Sequence, residues 1–441
     1  MILSQWFSIT IPQEITIFIL IVACVLWITE AIPLYATSFL ILFIELTWLL
    51  PSLSATHPNL KAEFFLAPFF SDTVLLFLGG FVISSAVALY GIDRILAQSI
   101  VGHFAKTPNR LMIAIVFTTS FLSLWMNNTA TTSLMIGLVI PILDSLPEKS
   151  GWRKAIFLAI PFSSNVGGMG TPVGTLPNAI AVEYLNGIGM APSFLNWMLF
   201  SIPVIVVVNG FLCLLLPFLF CRNEQVEQIK LTTTSESLSK SEIKIRSFIV
   251  FITLLTIVGW LTSDLHGFSN GTIALIPVLV FFSFRILKIH DFRSLAWDVL
   301  ILMGGGISMG RAIEVSGLAK SLLASLNLGD STFVALMIVF SAITLILSSV
   351  MSNTSTANLM IPLALGLTIL QAPAIVILVA LTASVAMPLP VSTPPNAIAF
   401  GYGFVSARNM LVAGISMTLT GWVAIISLGY FLMKWLGIGN L

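Results

Sequence analysis

The sequence predicts an all-α polytopic membrane protein built as two inverted repeats, each with five spans, one of them a broken helix, and one re-entrant helical hairpin. Three observations carry this. Hydrophobic residues make up 57% of the 441 and charged residues only 8%, against about a quarter charged in a soluble domain, and the mean hydropathy is +1.05. Apolar runs of about 20 residues, enough to cross about 30 Å of hydrocarbon, recur along the chain. A polar triplet interrupts two of the apolar stretches in the same way, in "WMNNTATTSLMIGLVIPIL" from Trp125 and in "VMSNTSTANLMIPLAL" from Val350.

The spans are expected near 15–33, 35–51, 74–92, 152–190 and 196–220, then near 246–264, 271–287, 297–318, 372–404 and 409–435. Two of these are too long to be simple helices, and their middles, "GMGTPVGTLPNA" and "MPLPVSTPPNA", carry the Gly and Pro that stop a helix. The triplets lie outside the spans, in stretches 111–143 and 333–369 that are polar at both ends. Each half of such a stretch is marginal for crossing alone, so each reads as a hairpin that enters, turns at the triplet and leaves on the same side. The polar run 222–246 then links a first repeat, 1–221, to a second, 247–441. An odd number of spans per repeat inserts the second upside down. The basic residues agree: of 19 Lys and Arg, all but Lys61, Lys320, Lys434 and Arg311 fall on one side of this map. That side is expected to be cytoplasmic, with the linker there and both termini outside. No cleavable leader is expected, since the first ten residues lack a basic stretch. The expected location is the cell (inner) membrane.

The repeat is also visible in residues. "VLLFLGGFVISSAVALYGIDRILA" from Val74 matches "VLILMGGGISMGRAIEVSGLAKSLLA" from Val299, and "PNAIA" recurs at Pro177 and Pro395. Inverted repeats with interrupted helices are the pattern of secondary transporters, with the site near the midplane. A single Asn-Thr in a membrane helix is most simply a cap or an interhelical hydrogen bond. Two copies, each followed by a Gly/Pro break and "PNAIA", favour a site. Helix N-termini after each turn offer N–H groups and positive dipole ends to an anion, and Asn128, Thr129, Asn353 and Thr354 add donors. Backbone carbonyls around Val173–Thr175 and Val391–Thr393 offer the oxygen-rich setting that a hard monovalent cation takes.

Stretches 111–143, 155–182 and 331–407 contain no Lys, Arg, Asp or Glu. A bound anion there has no fixed counter-charge, and burying an unpaired charge is too costly, so mobile sodium ions are expected to accompany it. The same absence removes the midplane carboxylate that a sodium/proton exchanger needs. Glu30, Glu45, Glu183, Asp298, Arg311 and Glu314 are expected at helix ends or in scaffold contacts, with Arg311 and Glu314 spaced to pair. The glycine runs 167–174 and 304–310 lack the strand–helix setting of a nucleotide loop. Cys24, Cys213 and Cys221 read as packing residues, and the four His make no metal cluster. No enzyme chemistry, organic cofactor or nucleic-acid partner is expected.

Together, "WITEAIPLYATS" (Trp27–Ser38), the paired Asn-Thr tips and the "TPVGTLPNAIA" and "STPPNAIAFG" loops make nearly the whole chain resemble the divalent anion:sodium symporter family of sodium-coupled dicarboxylate, citrate and sulfate transporters. The resemblance implies an elevator-type homodimer with scaffold and transport domains. It implies one sodium site at Ser123, Asn127, Asn128 and Gly174, and a second at Ser348, Met351, Asn353 and Ser392. It places substrate against Asn127, Asn128, Thr129, Thr175, Ser352, Asn353, Thr354, Thr393 and Pro394. The family triplet is Ser-Asn-Thr; here Ser352–Thr354 keeps it, while Asn127 stands where the first tip would carry Ser. The chain is also expected to lack a family-like first helix before Ile15. The implied function is sodium-coupled import of a small divalent anion, first a C4-dicarboxylate such as succinate, fumarate or malate. A sulfate or other inorganic anion carrier, an anion exchanger or metalloid permease, and an anion channel remain as alternatives.

Overall fold

The computed structural model describes residues 9–104, 107–144, 146–222, 224, 239–319, 321, 333–365 and 372–438, and every element among them is helical. The first half runs through Ile11–Thr29, Leu34–Ile44 with its π turn Glu45–Leu49, Asp72–Leu89 and Ile92–Phe104. A hairpin, Pro108–Ser123 and Asn128–Leu143, follows, then a broken helix, Gly151–Gly168 and Leu176–Gly187, and the long helix Phe194–Phe220. The second half repeats the order: Lys240–Leu261, Asn270–Ser283 and Trp297–Val315, a hairpin of Phe333–Val350 and Asn353–Leu365, a broken helix of Ala372–Val385 and Pro394–Gly401, and a final helix from Ala407 to Trp435 with a π turn at Ile425–Gly429.

Among the described residues, seven helices are long and apolar enough to cross a membrane. Phe333–Val350 is one of them, yet only Met351 and Ser352 separate it from the next arm. Both arms of each hairpin pack on the broken helix that follows.

Local chemistry explains the ends. The "TEAIP" motif makes the first corner: Glu30 leaves the helix at φ 49°, ψ 29°, and Pro33 precedes the next one. Ser239 caps Lys240–Leu261, its Oγ accepting from the Glu242 N–H at 3.2 Å while the Glu242 carboxylate accepts from the Ser239 N–H at 2.8 Å. The linker is therefore shorter than its polarity predicts, because a good capping box starts the helix within 222–246; residues 225–238 lie outside those described. Helix Ile92–Phe104 was not expected as an element, since Asp93, Arg94 and His103 break its apolar run; Ala97 and Val101 nonetheless reach the core. Arg311 does not pair with Glu314. Its guanidinium donates to the Phe64 carbonyl at 2.8 Å and lies over the Phe64 ring.

The apolar interior divides. One large core joins both hairpins, both broken helices, Phe194–Phe220 and Ala407–Ala424. Two smaller cores collect the first three helices and Lys240–Leu261, Asn270–Ser283 and Trp297–Val315. Trp297–Val315 meets the large body along glycine: a Cβ on Gly306 would lie 2.0 Å from Asn358 Oδ1, and one on Gly310 1.4 Å from the Tyr184 hydroxyl. Small residues let helices approach this closely. Tyr184 donates to the Gly306 carbonyl at 3.0 Å. On the far side of the same helix Ser308 donates to the fully buried Glu45 carboxylate.

The orientation expected from the basic residues has a direct check. Single-cysteine labelling of intact cells is expected to reach position 440 and not position 237; labelling of 237 from outside overturns the orientation. Asn440, Ser237 and the census residues Lys106, Lys230 and Lys320 lie outside the described residues.

Candidate anion and cation site

Each hairpin turns where its polar residues satisfy backbone that lipid cannot. At the first tip Asn127 sits at φ −57°, ψ 134°, and its Oδ1 accepts from the Thr129 N–H at 2.8 Å, capping Asn128–Leu143. At the breaks, Thr393 caps Pro394–Gly401 by accepting from the Asn396 N–H at 3.3 Å, with Pro394 at the first helical position. The two "PNAIA" asparagines do one job. Asn178 Nδ2 donates to the carbonyls of Gly168, Met169 and Thr171, and Asn396 Nδ2 to those of Met387 and Leu389. Each thereby satisfies carbonyls that the end of the preceding helix leaves free.

These turns meet around one cavity of about 130 Å³. It is lined by Asn127, Asn128, Thr129, Thr175, Ser352, Asn353, Thr354, Thr393 and Pro394, all nine of the residues expected against substrate, and by Gly174. Four helices begin at its wall: Asn128–Leu143, Asn353–Leu365, Leu176–Gly187 and Pro394–Gly401. Each N-terminus carries about half a positive charge, so the cavity is electropositive without a Lys or Arg. Against the 300–1,000 Å³ typical of drug-sized ligands the space is small.

Ser123, Ser348, Met351 and Ser392 are not in the lining; they lie buried behind it. Ser123 Oγ is 2.6 Å from Asn128 Oδ1 and 2.8 Å from the Ser164 carbonyl. Ser348 Oγ is 2.8 Å from Asn353 Oδ1 and 2.9 Å from the Ala383 carbonyl. In each cluster one hydroxyl proton faces two acceptors. Oxygen in that excess is the ligand set of a hard cation. Around them Ser164 Oγ donates to the Asn128 carbonyl at 2.9 Å, and Ser392 Oγ to the Ser349 carbonyl at 2.7 Å. Gly174 packs on the Gly168 backbone, where a Cβ would lie 2.4 Å from the Gly168 carbonyl, and Gly168 in turn packs on Asn128.

Several lining residues escaped the sequence reading: Phe77, Phe81, Asn165 and Val299. Asn165 is 1% exposed and bridges the halves, its Nδ2 donating to Thr393 Oγ1 at 3.0 Å and to Asn396 Oδ1 at 3.3 Å. A lone Asn in "FSSNVGG" was the available signal. Phe77, Phe81 and Val299 come from the smaller cores' helices, and nothing in their apolar runs marked them.

The profile of a family described as citrate transporter matches residues 24–383. An uncharacterised transporter of Schizosaccharomyces pombe is 31% identical over 96% of this chain, which spans about half (50%) of that relative's length. A sodium-dependent dicarboxylate transporter of Staphylococcus saprophyticus is 30% identical over 92% of this chain and 83% of its own. The crystal structure of the Alcanivorax borkumensis YdaH transporter superposes with a TM-score of 0.60 over 92% of this chain and 99% of that one, at 15% identity.

Proposed function

We propose that this chain, a multi-pass membrane protein that belongs to the citrate transporter family, imports a small divalent anion together with sodium ions, most simply a C4-dicarboxylate such as succinate, fumarate or malate. The observation that carries the reading is the pairing of two oxygen clusters with one cavity of four helix N-termini. The similar Staphylococcus saprophyticus protein, named as sodium-dependent and dicarboxylate-transporting, supports it.

In this proposal Asn128 and Asn353 couple the ions. Each Oδ1 faces its Ser Oγ, leaving the amide nitrogen as a donor to a carboxylate. Sodium at Ser123, Asn127, Asn128 and Gly174, and at Ser348, Met351, Asn353 and Ser392, draws the amide carbonyls in and turns the donors outward. The cations also offset the anion's charge, which four dipole ends do only in part. The facing tips suit a molecule with a carboxylate at each end, held by Thr129, Thr175, Ser352, Thr354, Thr393 and Pro394. Asn127 and the small cavity favour, as a second reading, a compact dianion such as sulfate. A homodimer with elevator movement belongs to the same proposal.

The test uses proteoliposomes with sodium and potential set on each side. Uptake of labelled succinate is expected to be saturable and sodium-dependent. Each net charge moved inward gains about 2.3 kcal/mol per 100 mV, so stimulation by a negative interior marks at least three sodium ions per dianion; two give electroneutral uptake. Uptake undiminished in potassium alone overturns the coupling, and sulfate uptake without succinate uptake moves the reading to the compact anion.

A further inference from the structure

A second, larger groove of about 530 Å³ shares no lining residue with the cavity at the tips and lies between helix Ile92–Phe104 and the first hairpin arm Pro108–Ser123. One wall is a stripe of Ile113, Phe117 and Phe121, four residues apart and 39–48% exposed; Ile100 and Phe104 face it from the other helix. At one end stand Arg110 and His103, both exposed. Arg110 is in the first turn of its helix, with its N–H on the Thr107 hydroxyl at 3.4 Å, so the positive dipole end points the same way. Among the described residues no carboxylate lines the groove or pairs with Arg110. Asp93, at the other end of helix Ile92–Phe104, accepts from the Arg94 N–H, and Asp144 pairs with Arg153.

We propose that this groove binds one anionic phospholipid, its phosphate on Arg110 and His103 and an acyl chain along Ile113, Phe117 and Phe121. Charge complementarity selects the occupant. A zwitterionic headgroup brings its own cation to a basic rim, while basic pockets beside membrane helices favour anionic headgroups. The basic end is also the side that the Lys and Arg distribution assigns to the cytoplasm. The bound lipid touches the arm that leads to Asn127, so it would steady the first hairpin on Ile92–Phe104. The site stands whichever anion is carried, and its test does not read transport.

Delipidated protein is offered phosphatidylglycerol and phosphatidylcholine, and bound lipid is counted by native mass spectrometry. Wild type is expected to prefer phosphatidylglycerol by at least about fivefold, the effect of one basic residue at a membrane surface, and Arg110→Gln with His103→Gln to lose that preference. Equal binding of both lipids by wild type, or an unchanged preference in the double variant, overturns the proposal. Should the double variant not fold, Phe117→Trp carries the test alone. Its added fluorescence is expected to be quenched by brominated phosphatidylglycerol more than by brominated phosphatidylcholine, and equal quenching overturns the site.

Discussion

Asn128→Ala and Asn353→Ala are each expected to abolish sodium-dependent uptake while leaving the protein inserted and folded. Each truncation removes the Oδ1 that faces a Ser hydroxyl and the donor that faces the cavity. Hydrogen bonds to charged groups contribute about 1.5–3 kcal/mol each, so losing one toward the cation and one toward the anion lowers turnover by more than about a hundredfold. Neither side chain fills the apolar interior, so melting behaviour and membrane yield should stay near wild type. Near-normal uptake in the double variant would make the triplets structural caps. Asn127→Ser, which restores the second tip's residue in the first, is expected to keep uptake and to change the order of preference among dianions.

Gly174→Ala is expected to disable the first cluster alone. Its Cβ would lie 2.4 Å from the Gly168 carbonyl, and Gly168 itself has room for no Cβ because Asn128 Oδ1 would be 2.5 Å away. The obstructing atoms are the Gly168 backbone, and that backbone packs on the Asn128 amide, so the displacement is expected to reach Asn128. Overpacking of this kind costs about 1–3 kcal/mol, and uptake at subsaturating sodium should drop by about tenfold or more. Gly137→Ala, on the hairpin arm that starts at Asn128 and with nothing within 4 Å of its Cβ, is the control and should transport normally. Equal sodium dependence in Gly174→Ala and wild type would remove this glycine from the site.

The hairpins, breaks and cavity-lining triplets were legible because polar residues are costly in an apolar run and therefore mark where the backbone turns. The same economy hides the rest. Phe77, Phe81 and Val299 look like any lipid-facing or core residue until the fold sets them at the cavity. Ile92–Phe104 goes unmarked because Asp93, Arg94 and His103 interrupt its apolar run, although Ala97 and Val101 are buried in the large core. The start at Lys240 rests on a cap that is visible only as Ser239 and Glu242, three residues apart inside a polar linker. Asn165 was visible as a residue and invisible as a bridge, since its partners Thr393 and Asn396 lie in the other half of the chain.

The glycine face of Trp297–Val315 has a mechanical consequence. Side chains of packed helices normally form ridges that seat in grooves, and one helix then shifts past another only by lifting its ridges out. Gly306 and Gly310 present bare backbone instead, and against them the body that holds the cavity sets one hydroxyl, that of Tyr184, and the Asn358 amide, whose two polar atoms are buried without a partner. Here one hydroxyl reaches two successive carbonyls, that of Gly306 at 3.0 Å and the next along the helix, that of Ile307, at 3.4 Å. A shift of one carbonyl would leave the Tyr184 hydroxyl with a partner, so in the elevator movement proposed above this helix face would serve as a bearing surface rather than a gear.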